Sequence, residues 1–153
     1  MIEFRDGQMD SGDGGRLEAA MREEMRVVYP GLDLQAPDMS KAGPDELNPP
    51  NGVFIVGYED EIAVCCGGIK RLDADACEIK RMYVAPEARG RGVARTLLGA
   101  LEQRACALGY KIARLDTGPK QPAAQHLYES TGYTTIPNFN ANPVATYFGE
   151  KLL

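Results

Sequence analysis

The feature that most restricts this chain is the run Arg89-Gly90-Arg91-Gly92, followed at once by an apolar repeat at Val93, Ala94, Leu97, Leu98, Leu101, Ala105 and Leu108. Spacings of three and four put these residues on one buried helical face, so a helix begins directly on a glycine-rich turn. Its first N–H groups lack intrahelical partners and carry the positive end of the helix dipole, and glycines let that backbone approach an anion closely. With Arg89, Arg91 and Arg95 beside it, the turn reads as a cradle for phosphate or pyrophosphate. The plain alternative is a tight connection flanked by solvated arginines, because a lone glycine-rich turn is a weak signal.

Two common phosphate loops fail on spacing. No GxxxxGK followed by Ser or Thr occurs, and the third small residue of a dinucleotide fingerprint is replaced here by Arg95.

The elements around the turn indicate one mixed sheet. Met1–Asp6 reads as an edge strand and Arg16–Tyr29 as a helix with Ser11 or Asp13 as its cap, whereas 30–51 is proline-rich and irregular. Strands over 52–58 and 61–69 form a hairpin, with Gly67 and Gly68 suited to a bulge, and a third strand over 76–84 completes an antiparallel meander. The helix from Val93 is capped near Gly109, and 111–117 then forms a strand parallel to the one before the helix. A short helix over 121–131 and a closing hairpin, 133–136 with 145–152, finish the chain. The expected class is α/β, a central mixed, mostly antiparallel sheet flanked by helices in a single domain over 1–153.

Composition narrows the function classes. A net charge of −5 argues against a nonspecific nucleic-acid binder, and the cluster Lys80, Arg81, Arg89, Arg91 and Arg95 suits a small anion better than a polyanion. No apolar run approaches a membrane span and no signal-peptide core is present, so a cytoplasmic protein is expected. The four cysteines lack CxxC spacing and there is a single histidine, His126, so neither a metal site nor a redox pair is expected, and Cys65 and Cys66, in an apolar strand, read as buried structural thiols.

The cradle Arg89-Gly90-Arg91-Gly92-Val93-Ala94 resembles motif A of the GNAT superfamily of acyl-CoA-dependent N-acyltransferases. The preceding strand EIKRMYV and the later QPAAQHLYESTGY are similar to that family too, so the resemblance covers roughly 53–153. It implies a GNAT-like fold and acetyl transfer from acetyl-CoA to a primary amine by direct attack, without a metal. Cofactor contacts would come from Met82, Tyr83 and Val84 of the strand, from Arg89, Gly90, Arg91, Gly92, Val93, Ala94 and Arg95 of the cradle, and from Gln121. Gln121 stands where relatives commonly have asparagine.

Two residues are implied to carry chemistry. Tyr128 matches the family tyrosine that protonates or hydrogen-bonds the leaving sulfur; its alternative is a core tyrosine beside Leu127. Glu78 matches a position where some members keep a general base; its alternative is a solvated glutamate or an ion-pair partner of Lys80 or Arg81. Period-two alternation puts Glu78, Lys80, Met82 and Val84 on one face, barring a bulge. Thr117 either lines the thioester or merely ends a strand, and His126 reads as an exposed helix residue.

The amine acceptor is open between a small molecule and a peptide or protein amine, with Asp33, Asp38, Asp45 and Glu46 as candidate attractors of a cation. Neither nucleic acid nor membrane is expected as a partner, and a homodimer is a family-level expectation. Other readings are a noncatalytic acyl-CoA-binding sensor and a cradle for another phosphorylated ligand.

Overall fold

A computed structural model describes residues 1–39 and 41–153. In chain order the elements are β1 (Glu3–Asp6), α1 (Gly12–Val28), β2 (Val53–Glu59), β3 (Ile62–Arg71), β4 (Ala76–Val84), α2 (Val93–Ala107), β5 (Ile112–Thr117), α3 (Pro122–Ser130), β6 (Thr134–Thr135) and β7 (Tyr147–Leu152). The described residues form a seven-stranded sheet in the order β1-β2-β3-β4-β5-β7-β6, antiparallel except for the parallel pair β4 and β5. The expected α/β class, meander, crossover and closing hairpin are all present.

Alternating side chains explain why the sheet is covered on both sides. Ile55, Cys65, Cys77 and Leu115 pack with Leu97, Leu98 and Leu101 of α2, whereas Phe54, Val56 and Cys66 pack with Leu17 and Met21 of α1. Such strands read as continuous apolar runs because each face meets a helix. Burying a side chain of this kind stabilises by roughly 1.5–3 kcal/mol, which makes these two layers the main source of stability.

Several boundaries differ from the expectations for local reasons. Helix α1 begins at Gly12 rather than Arg16, with Ser11 at the N-cap position but without a side-chain cap bond. Its first turn is a poor helix former; it is held by close packing, since a Cβ at Gly14 would lie 2.2 Å from the Gln8 carbonyl oxygen. Helices α2 and α3 end alike. Tyr110 N–H donates to Ala105 O and Gly109 N–H to Cys106 O, while Tyr133 N–H donates to Tyr128 O and Gly132 N–H to Glu129 O. Each is a Schellman turn that delivers a buried tyrosine to the core.

The bulge expected near Gly67 exists, with its extra residue on β4. Cys66 pairs with Tyr83 and Gly68 with Lys80, so Arg81 and Met82 together oppose Gly67, and Arg81 adopts φ 61°. One extra residue reverses the side-chain parity of everything after it. Glu78 and Lys80 therefore do not share a face with Met82 and Val84, which pack with Cys77 and Ile79 in the α2-side core. That corrects the strict period-two expectation.

Cys65, Cys66 and Cys77 are free and buried, and Cys106 is free and exposed. Burial pushes the Cys65 thiol up to about 11 and the Cys77 thiol up to about 12, and it raises Cys66 further. Thiols whose folded pKa is raised lend stability that is complete below the unfolded value of about 8.5 and disappears as pH rises through the folded value. The urea midpoint should thus fall between pH 9 and pH 11, with each thiol contributing about 1.4 kcal/mol per pH unit at most. Combining Cys65→Ala with Cys77→Ala should flatten that slope; an unchanged slope would assign it to other groups.

Candidate active site

Strands β4 and β5 pair only from Ala76↔Ile112 to Glu78↔Arg114. Beyond Glu78 they diverge, and the far half of β4, Ile79 to Val84, has no strand partner on that side among the described residues. The wedge leads into a cavity of about 200 Å³. Lys80, Arg81 and Met82 line it from β4, Asp116 and Thr117 from β5, and Tyr128 from α3. Met21 and Met25 of α1, with Tyr29, Leu32, Leu34 and Met39 just after it, close the other side.

The glycine turn lies at the mouth of the same wedge, outside the cavity lining. Gly90 and Gly92 have φ 80° and 78°, and Gly92 is the N-cap of α2 without any side-chain cap bond. A Cβ at either glycine would meet nothing within 4 Å, so open space faces the uncapped N–H groups. The arginines differ in availability. Arg89 makes a bidentate pair with Glu24 at 3.0 and 2.8 Å and donates to the Val84 carbonyl oxygen at 2.9 Å, and Arg91 holds Glu59 at 2.9 and 3.1 Å. Both pairs are exposed, where such contacts contribute roughly 0–1 kcal/mol and exchange easily for another anion. Arg95 donates to the Ser130 hydroxyl at 3.1 Å and has no carboxylate partner among the described residues.

Tyr128 is 7% exposed and stacks on Tyr147 at 6.3 Å, with Tyr133 tilted against it at 5.9 Å. Among the described residues its hydroxyl has only the Met82 sulfur, at 3.9 Å, as an acceptor, so its proton is held weakly. Burial, followed by the nearby Asp116 and Tyr147, raises the phenol well above its ordinary value. It remains a proton donor across the neutral range.

The carboxylates near the wedge are tied down. Glu78 is 0% exposed; its Oε2 accepts from Asn140 Nδ2 at 2.7 Å and sits 3.2 Å from Lys80 Nζ, while its Oε1 has no hydrogen-bond partner among the described residues. Asp116 Oδ2 accepts from the same Asn140 amide at 2.7 Å and from Asn142 Nδ2 at 2.9 Å. Asp116 faces the cavity, and Glu78 lies behind Lys80 without lining it.

The family model for the acetyltransferase (GNAT) family matches residues 17–133. An uncharacterized N-acetyltransferase of Schizosaccharomyces pombe is 33% identical over 119 residues, 74% of this chain and 73% of that protein. The chain belongs to the GNAT family. Among solved structures, an acetyltransferase from Streptococcus agalactiae has the same fold with a TM-score of 0.80 at 18% identity, covering 99% of this chain and 98% of that one. A GNAT acetyltransferase from Elizabethkingia anophelis, solved with acetyl-CoA bound, superposes with a TM-score of 0.70 at 16% identity, over 99% of this chain and 98% of the other.

Within this GNAT fold the residues singled out from sequence fall into groups. Met82, Val84 and Tyr128 converge on the wedge, and Arg89 through Arg95 form its mouth. Tyr83 points to the α1-side core instead. Gln121 is engaged by its own turn: its Oε1 lies 3.3 Å from the Thr117 hydroxyl, 3.4 Å from Gly118 N–H and 3.4 Å from the Tyr29 hydroxyl. His126 is exposed. Asp33 and Asp38 line a separate surface hollow, Asp45 is exposed, and Glu46 accepts the Gly43 N–H, so none of these acids faces the main cavity.

Sequence reasoning missed Asp116, Asn140 and Asn142. The run Asn138-Phe139-Asn140-Ala141-Asn142 was legible only as a turn, although its amides donate to the buried Glu78 and the partly buried Asp116. Glu78→Gln should lower unfolding stability by about 3 kcal/mol, because it leaves Lys80 buried without its partner. Adding Lys80→Met should recover most of that loss in a denaturant titration. A Glu78→Gln protein as stable as the parent would show that the pair contributes nothing.

Proposed function

We propose that this protein transfers an acetyl group from acetyl-CoA to a primary amine by direct attack in a ternary complex. The observation that carries the reading is the Tyr128 hydroxyl, buried at the wedge with its proton weakly held and its pKa raised. An acid at that position is what departure of a thiolate requires.

The residues fit such a cofactor. The open space over Gly90 and Gly92, the uncapped start of α2 and the exchangeable pairs of Arg89 and Arg91 suit a pyrophosphate, with Arg95 as a further cation. The unpaired stretch of β4 from Ile79 to Val84 suits an amide-bearing arm that adds to the sheet as a strand would. Met82, Tyr83 and Val84 would contribute through their backbone, and Val93 and Ala94 through their N–H groups. Gln121 would shape the turn beside the arm.

Bound acetyl-CoA supplies a thioester carbonyl carbon and a thiolate that must be protonated as it leaves. Tyr128 gives its hydroxyl proton to that sulfur as the C–S bond breaks. Asp116, which faces the cavity, accepts the proton released from the attacking nitrogen as the C–N bond forms. Glu78, the base expected from the family resemblance, is assigned a positioning role: it fixes Lys80 and Asn140, and Asn140 in turn holds Asp116.

Two variants separate binding from chemistry. Gly92→Glu should weaken acetyl-CoA binding at least about tenfold in a calorimetric titration by opposing charge at the helix start, while its left-handed backbone costs about 1 kcal/mol of stability. Unchanged affinity would remove the cradle. Tyr128→Phe should lower kcat about a hundredfold or more with acetyl-CoA affinity retained. In the parent, no loss of activity below about pH 10 should trace to this phenol, because burial moves its ionisation upward. Equal turnover by the Phe variant would end the acid role.

A further inference from the structure

Arg81 lines the cavity with a side chain only 8% exposed. Burying a guanidinium is costly unless its donors are met. Among the described residues they are poorly met: Nε is buried without a partner, Nη2 reaches the Ala42 carbonyl oxygen at 3.4 Å, and Nη1 stands 3.9 Å from Glu18 Oε1. Glu18 is already occupied, accepting from Arg22 Nε with both oxygens at 2.9 and 2.8 Å. The other acids near this cavity have partners of their own, Glu78 with Lys80 and Asp116 with the asparagine amides.

The backbone points the same way. Arg81 is a residue of the β4 bulge and sits at φ 61°, a conformation uncommon for residues with side chains. Strain of this sort gathers where a ligand is held. A dry cation with free donors on a strained strand is prepared for an anion that arrives with the substrate.

We infer that Arg81 binds a carboxylate of the acceptor itself, and that the acceptor is a small amino carboxylate with an apolar body. The inference rests on the acetyl-transfer reading above. The cofactor's phosphates are not the anion in question, because the glycine cradle lies outside the cavity that Arg81 lines. The wall opposite Arg81's strand is apolar, formed by Met21, Met25, Leu34 and Met39, and matches an aliphatic or thioether body. Asp116 supplies the complementary charge for the ammonium, beside Tyr128 where transfer occurs. A cavity of about 200 Å³ holds a molecule of amino-acid size. A peptide N-terminus fits this site less well, since its carboxyl group is already an amide.

The test is a titration of the free and the acetyl-CoA-loaded protein with L-leucine, L-methionine, leucinamide and 3-methylbutylamine, read by ligand-observed NMR. The acids should bind at least about tenfold more tightly than the amide and the amine, the difference expected of charge-assisted bonds to a buried guanidinium. Arg81→Gln should remove that preference, Arg81→Lys should keep part of it, and the thermal midpoint of Arg81→Gln should be unchanged or higher, because an unpaired buried charge has gone. Equal binding of acid and amide, no binding of any compound, or a preference that survives Arg81→Gln would overturn the inference. Failure of the acetyl-transfer reading is distinct: the protein would not bind acetyl-CoA, whatever the free cavity prefers.

Discussion

One extra residue in β4 governs the site. Without the bulge at Arg81 and Met82, alternation would carry Glu78, Lys80, Met82 and Val84 along one face. With it, the strand presents acid and amine on the α1 side up to Lys80, then turns Met82 toward Tyr128 and Val84 toward α2. Arg81, at the crossover, lines the cavity between, with its Nη groups toward Ala42 and Glu18. The bulge lies just beyond Glu78, where pairing with β5 ends, and a bulge bends its strand and increases the local twist. Opening of the wedge and reassignment of its side chains thus occur along the same stretch of β4.

Electrostatics in the wedge follow from who has a partner. Glu78 with Lys80, Glu18 with Arg22 and Asp116 with two amides form short contacts around buried or partly buried carboxylates, where an unpaired charge is costly. Besides Glu78 Oε1 and the Tyr147 hydroxyl, the groups poorly met among the described residues are the Tyr128 proton, the Arg81 guanidinium and the N–H groups at the start of α2. On the proposed reading they would serve respectively as an acid, an anion receptor and a phosphate receptor. Polar groups left without good partners in a folded protein call for such an account.

What the sequence disclosed depended on how local the determinant is. The α2 repeat, the glycine turn and the β2 to β4 meander are set by residues within a few positions of one another, and they appear where spacing puts them. Tyr128 was readable through its surrounding motif, and its environment of Tyr133 and Tyr147 was not. Parity beyond the bulge could not be read, because nothing in Lys80-Arg81-Met82 announces a positive φ; a glycine there would have. The meeting of Glu78, Asp116 and Asn140 joins segments far apart in sequence, and no local pattern encodes it. The acidic residues of the irregular segment were readable in sign and not in direction, and they lie as surface carboxylates away from the main cavity.

A division of labour between the two sides of the wedge follows. On the proposed reading the cofactor side would be backbone: helix start, glycine turn and strand edge, which bind by geometry that many side chains permit. The acceptor side would be side chains from α1 and the segment after it, packed on β4 and pinned where the Tyr29 hydroxyl accepts from Lys120 N–H at 3.0 Å. Gly118 permits that pin, since a Cβ there would overlap the Tyr29 hydroxyl. Met21 of this wall also packs in the α1-side core, whereas Tyr29, Leu32 and Met39 follow the helix, so on the proposed reading the segment after α1 is where acceptor choice would diverge at least cost to the sheet. Arg81 belongs to the strand and, on the inference above, would serve the acceptor, which makes it the point where the two halves of the site meet.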